Sequence, residues 1–154
     1  MNARKIVKRV DFPKGSKPYM LRVSPDGKQV WVQAPGNNSN TILDAETLEI
    51  KDSQPDGKGP VTNAWSPDGR YGLVTHGGDS FVTVRDGTTG KEIKRIEVGQ
   101  NSANVGFTPD SKTAYVAVTG ANSVAVIDMK SLSLVTHIPC GKQPQGLIVM
   151  APPA

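Results

Sequence analysis

Few residues in this chain are of types that do chemistry, and their spacing limits them further. Two histidines, His76 and His137, and a single cysteine, Cys140, are its soft metal donors. Zinc sites take three or four protein ligands, so one chain cannot assemble a complete site from these alone. His76 lies in Val74-Thr75-His76-Gly77-Gly78-Asp79, where Asp79 could orient the ring. It stands as the candidate ligand for a metal or haem iron. No Ser/His/Asp arrangement, phosphate-cradling glycine loop, cysteine pair or haem-attachment motif is present. Catalysis therefore has no candidate set, and no particular cofactor is indicated. Asp44, Asp86 and Asp128 each close a β-branched run and read as caps of backbone turns. Cys140 occupies a place where its counterpart Val98 is apolar, which predicts a small buried hydrophobe.

The elements that must position these groups are short. Of 154 residues, 16 are glycine and 12 proline, and aromatics make up 5%. That is a turn-rich chain with room for one lean core. No apolar run approaches the ~18 residues of a membrane-spanning helix. The +4 net charge is spread rather than gathered into a basic run, so nucleic acid is not an expected partner. One cysteine cannot form an internal disulfide. Met1-Asn2-Ala3-Arg4-Lys5 is basic without an apolar stretch after it, so no signal peptide is expected within the chain.

A repeat organises the rest. Ser24-Pro25-Asp26-Gly27 recurs as Ser66-Pro67-Asp68-Gly69 and as Thr108-Pro109-Asp110-Ser111, a step of 42 residues each time. Asp44, Asp86 and Asp128 keep the same step, as do Gly15, Gly57, Gly99 and Gly141. Within one period the pattern predicts four short strands: an inner strand after Gly-x-x-Pro, a second after the Pro-Asp turn, a third, and an outer one after the aspartate turn. No segment has ten residues of helical periodicity, so helix content should be near zero. A four-stranded unit of this length is the size of a propeller blade. Gly-x-x-Pro, Ser-Pro-Asp-Gly, Tyr115-Val116-Ala117-Val118-Thr119-Gly120 and Val124-Ala125-Val126-Ile127-Asp128 resemble the YVTN-type β-propeller repeat family. The first copy departs most, with polar Lys51-Asp52-Ser53-Gln54 where the outer strand belongs.

The expected fold is all-β: one propeller-type domain over 1–154, with an outer strand at 5–12, blades at 17–54, 59–97 and 101–139, and an inner strand at 145–150. Closed rings hold 4 to 8 blades, and three would leave apolar faces bare. The first expectation is a homo-oligomer, most simply a dimer. A second propeller-fragment chain, and a self-closed small ring, are the alternatives. Loops on one end of such a ring would collect Lys17, Asn37, Asn38, Lys58, His76, Asp79, Asn101, Asn122, Lys142 and Gln143, a polar, basic face for a ligand or partner. Plain soluble turns account for the same residues. A rigid repeat with polar loops and no reactive constellation reads as a non-catalytic binding or scaffold module, and the resemblance implies a periplasmic or cell-surface location. It equally admits part of a cofactor- or metal-bearing propeller enzyme, oxidoreductase or lactonase-like, with His76 as a ligand. A structural fragment with no activity of its own is the third reading.

Overall fold

The structure is a computed structural model that describes residues 5, 6 and 8–150. Strands form where β-branched and aromatic residues run between turns built on Pro-Asp-Gly and Asp-Gly. In chain order they are β1 (Leu21–Val23), β2 (Gln29–Ala34), β3 (Ser39–Asp44), β4 (Ile50–Pro55), β5 (Pro60–Trp65), β6 (Tyr71–His76), β7 (Phe81–Asp86), β8 (Glu92–Glu97), β9 (Ser102–Phe107), β10 (Thr113–Val118), β11 (Ser123–Asp128) and β12 (Ser133–Pro139). Each successive four make one antiparallel sheet in meander order, giving three blades. The 3-10 turn Thr119–Ala121 is the one helical element among the described residues. The polar segment Lys51–Gln54 does form the outer strand β4, because pairing with β3 along its length outweighs its weak strand propensity.

The turns hold as the residue types dictate. Asp86 Oδ1 accepts the N–H of Thr88 (3.1 Å) and Thr89 (2.7 Å), and Asp44 Oδ1 those of Glu46 (2.9 Å) and Thr47 (2.8 Å). Ser24, Ser66 and Thr108 each donate a hydroxyl to the aspartate two residues on, at 2.6 Å in all three. The expected terminal strands, 5–12 and 145–150, carry no strand ladder among the described residues, and Val7 lies outside them. A strand needs a hydrogen-bonded neighbour, and both segments lie against the face of a blade, without an edge to pair with among the described residues.

Ladder register sets what each blade shows its neighbours. Leu21, Val32 and Thr41 share the front of blade one with Val23, Val30 and Leu43, while Trp31 and Ile42 face blade two. Trp31 stacks on Trp65 at a centroid distance of 4.2 Å, and a Cβ on Gly72 would collide with the Trp31 ring. Blades two and three meet through a continuous apolar core, including Leu73, Val82, Val84, Ile96, Val116 and Ile127. Cys140 is exposed, contrary to expectation. Its counterpart Val98 is 1% exposed because blade three covers it; no sheet lies over Cys140 among the described residues.

Candidate functional site

Loops joining each outer strand to the next inner strand form one end of the arc, together with those joining second and third strands. Gly36 N–H donates to Ser16 O (2.8 Å), Gly78 N–H to Lys58 O (3.0 Å) and Gly120 N–H to Gln100 O (3.1 Å). Each bond joins the two loop types, again in 42-residue steps. The glycines are needed for the close approach: a Cβ on Gly78 would lie 2.8 Å from Lys58 Cβ, and one on Gly120 2.5 Å from Gln100 O. Lys17, Gly59, Asn101 and Gln143, also one step apart, share a left-handed backbone at φ 51°, 59°, 60° and 52°. The same turn therefore recurs around this end and fixes where the side chains emerge.

Within that face the expected residues divide. Asn38 Oδ1 accepts the N–H of Gly59 (2.9 Å) and Asn122 Oδ1 that of Gln143 (2.9 Å). Asp79 Oδ2 accepts the N–H of Lys58 (2.6 Å), and Asn37 Oδ1 the hydroxyl of Ser39 (2.9 Å). These four serve their own turns. Lys17, Lys58, Asn101, Lys142 and Gln143 are exposed. None of the three lysines is within 4.0 Å of a carboxylate among the described residues, whereas Lys28 and Lys112 sit beside Asp26 and Asp110 at 4.0 and 3.6 Å on the turns between first and second strands.

His76 does not belong to the loop face. It closes β6 with its side chain fully buried, at the junction of blades one and two. Its Nε2 lies 2.8 Å from Asp56 Oδ1 and its Nδ1 3.1 Å from the carbonyl of Phe81. Both ring nitrogens face acceptors, so donating both bonds requires a ring that carries both protons. Asp56, its side chain also buried, takes further hydrogen bonds from Thr83 Oγ1 (2.9 Å) and, on Oδ2, from Arg85 Nε (3.2 Å). Arg85 spends its other donors on Gln54 Oε1 (3.0 Å), Gly90 O (2.8 Å) and Pro55 O (2.7 Å). Burial works to raise the Asp56 carboxyl. The hydrogen bond from His76, the Arg85 and His76 charges and the Gly57 N–H outweigh it and hold the group below its ordinary value. The cluster ties two blades together and presents no reactive atom to solvent. With both nitrogens engaged, His76 does not fit the role of metal or haem ligand.

Asp56 and Arg85 were not singled out from the sequence, yet the repeat carries their signal. One step on from Asp56 stands Val98, with Lys14 one step back; one step either side of His76 stand Ala34 and Val118; one step either side of Arg85 stand Leu43 and Ile127. Asn40 and Gln54 likewise stand one step from Val82 and Ile96. Three ionisable groups at positions that are all apolar in the following repeat must find one another, since a lone buried charge is too costly.

No protein-family model matches this chain. No curated protein matches it either. Solved structures do. Over 90% of its length it is similar to Kuenenia stuttgartiensis hydrazine synthase, at 29% identity and a TM-score of 0.80. Over 83% it is similar to the dihydro-heme d1 dehydrogenase NirN, at 25% identity and a TM-score of 0.66. The WD40 repeats of RRP9 match over 85%, with 17% identity and a TM-score of 0.75, a likeness of fold. The chain spans 40%, 27% and 41% of those three chains. The fold is that of an open β-propeller arc.

Proposed function

We propose that this chain is an arc of a YVTN-type propeller working as a non-catalytic binding module, its loop face taking an acidic segment of a partner protein. The observation that carries this reading is the trio Lys17, Lys58 and Lys142, exposed and free of any carboxylate among the described residues. They project from turns held rigid by main-chain bonds. Asn101 and Gln143 add amide donors between the charges. A fixed cationic rim attracts an anionic chain at little ordering cost. Residence in the periplasm or at the cell surface follows from the same family resemblance and is part of the proposal.

Fluorescence anisotropy with a labelled ten-residue glutamate peptide tests it. Binding should weaken steeply with salt. Replacing Lys17, Lys58 and Lys142 together by glutamine should weaken it about tenfold, at roughly 0.5 kcal/mol per exposed charge. Equal affinity in the triple variant would refute the reading. The other reading, part of a cofactor-bearing propeller enzyme, draws support from the two enzymes among the similar structures. Its ligands would have to come from outside this arc. A stoichiometric shift in the haem spectrum on titration would favour it.

A further inference from the structure

The arc has two open lateral faces, and each is half covered in a different way. On the front of blade one, Val10 and Phe12 line a cleft with Val30, Val32, Leu43 and Leu48. Nearer the axis Tyr19, Leu21 and Val23 stay 68%, 53% and 53% exposed. On the back of blade three the cover lies at the axis instead. Leu147 and Val149 rest on Gly106, where an added Cβ would lie 2.9 Å from Leu147 Cδ1 and 3.2 Å from Val149 Cγ2. The alternate residues of that segment, Ile148 and Met150, point away at 81% and 76% exposure.

The repeat says what each bare position is for. Stepping back by 42 places Leu147 and Val149 on Val105 and Phe107, and finally on Leu21 and Val23. Ile148 falls on Gly106. Since Gly106 is the position against which Leu147 and Val149 pack, Ile148 is the position against which the next Leu21 and Val23 would pack. Both halves of that contact are on this chain, and both are exposed and apolar. Stepping forward by 42 places Val10 and Phe12 on Asp52 and Gln54, in an outer strand. One copy thus brings the inner segment of a blade position and the other brings the outer segment of the same position.

We infer that a second copy of this chain docks front to back on the first, Ile148 of one seated on Leu21 and Val23 of the other, with segment 8–12 of the latter lying outward of segment 145–150 of the former. The inference rests on reading the chain as an open arc. The contact is heterologous, so two copies related by a two-fold axis make it twice and close a ring.

Light scattering behind size exclusion on the 154-residue chain provides the test, with two variants. The unaltered chain should run near twice 16.4 kDa. Leu21→Lys and Ile148→Asp should each run as monomers with unchanged circular dichroism, since both side chains are exposed in the single chain, and each should melt at a temperature independent of protein concentration. Mixed one to one, those two variants should recover the dimer: one junction is then native and the other pairs lysine with aspartate. A species larger than a dimer that is lost in both variants and recovered on mixing also supports front-to-back docking. An unaltered chain that stays monomeric to about a hundredfold concentration, an oligomer indifferent to either change, or no recovery on mixing overturns it. Glutamate-peptide binding on the same samples separates the two ideas: a monomer that still binds the peptide sinks the docking alone.

Discussion

At the scale of single residues, the Asp56, His76 and Arg85 cluster is where one atom matters most. Removing the carboxylate leaves Arg85 buried without its counter-charge, and breaking a buried pair in that way costs about 3–5 kcal/mol. Asp56→Asn should lower the urea midpoint accordingly at an unchanged slope. Its pH dependence has a definite sign. The folded state holds the Asp56 carboxyl below its ordinary value. The stabilisation is therefore complete above the usual carboxylate range and is lost as pH falls through the lowered folded value. The unaltered protein should lose stability on acidification below about pH 4, and Asp56→Asn should show a shallower acid limb. Superimposable acid limbs in urea titrations would mean that Asp56 is not held by the cluster. The exposed turn aspartates, such as Asp86 with its Thr89 N–H bond, are lowered too, but they are common to both proteins and cancel in the difference.

At the scale of elements, the same cluster is one of two interchangeable ways of joining blades. The junction of blades one and two uses Asn40, Gln54 and Asp56 against His76, Thr83 and Arg85; the next junction uses Val82, Ile96 and Val98 against Val118, Ala125 and Ile127. Replacing a buried ionic set by well-packed apolar residues is often neutral or stabilising by about 1–4 kcal/mol. Transplanting all six apolar residues should therefore leave the thermal midpoint unchanged or raised, although Asp56→Asn alone lowers it. A fall in the six-residue variant would show that the polar junction is worth more than its packing. A second element-level prediction concerns Gly78, whose Cβ position is filled by Lys58. Gly78→Ala should cost about 1–3 kcal/mol from overpacking, read from a melting curve. The blades, their turns and the strand order were legible because turn chemistry repeats in three copies, so each marker is checked twice within the chain. The burial of His76 was not legible from its own neighbourhood, where Gly77-Gly78 look like open loop. It becomes so only when the three repeats are superposed and the polar positions are compared with apolar ones. The exposure of Cys140 was missed for the opposite reason: the comparison with Val98 assumed a covering blade, and none lies over Cys140 among the described residues.

At the scale of the whole molecule, a repeat arc is held by its junctions, and its stability is close to a sum of blade and interface contributions. Blade one is the weakest member on three counts. Its inner strand β1 is three residues long and exposed throughout, its front is half bare, and its one junction is the polar one. Three buried polar atoms at that junction, Gln33 Oε1, Asn40 Nδ2 and Asn63 Oδ1, have no protein hydrogen-bond partner among the described residues, so the protein returns nothing for their desolvation. Blade two has neighbours on both sides, and its junction with blade three holds the large apolar cluster, with the Ser102 hydroxyl bonded to the His76 main chain beside it. Opening should therefore begin at blade one, well below the free energy of global unfolding, while blades two and three open together. Native-state hydrogen exchange measures this directly: the amides of Val32 and Ile42 should exchange ahead of those of Val84, Val116 and Ile127. Docking of a second copy on the blade-one front would slow Val32 and Ile42 selectively, so the contrast should shrink with protein concentration. It should persist at all concentrations in Leu21→Lys. Equal protection across the three blades at low concentration would show that the polar junction holds as firmly as the apolar one.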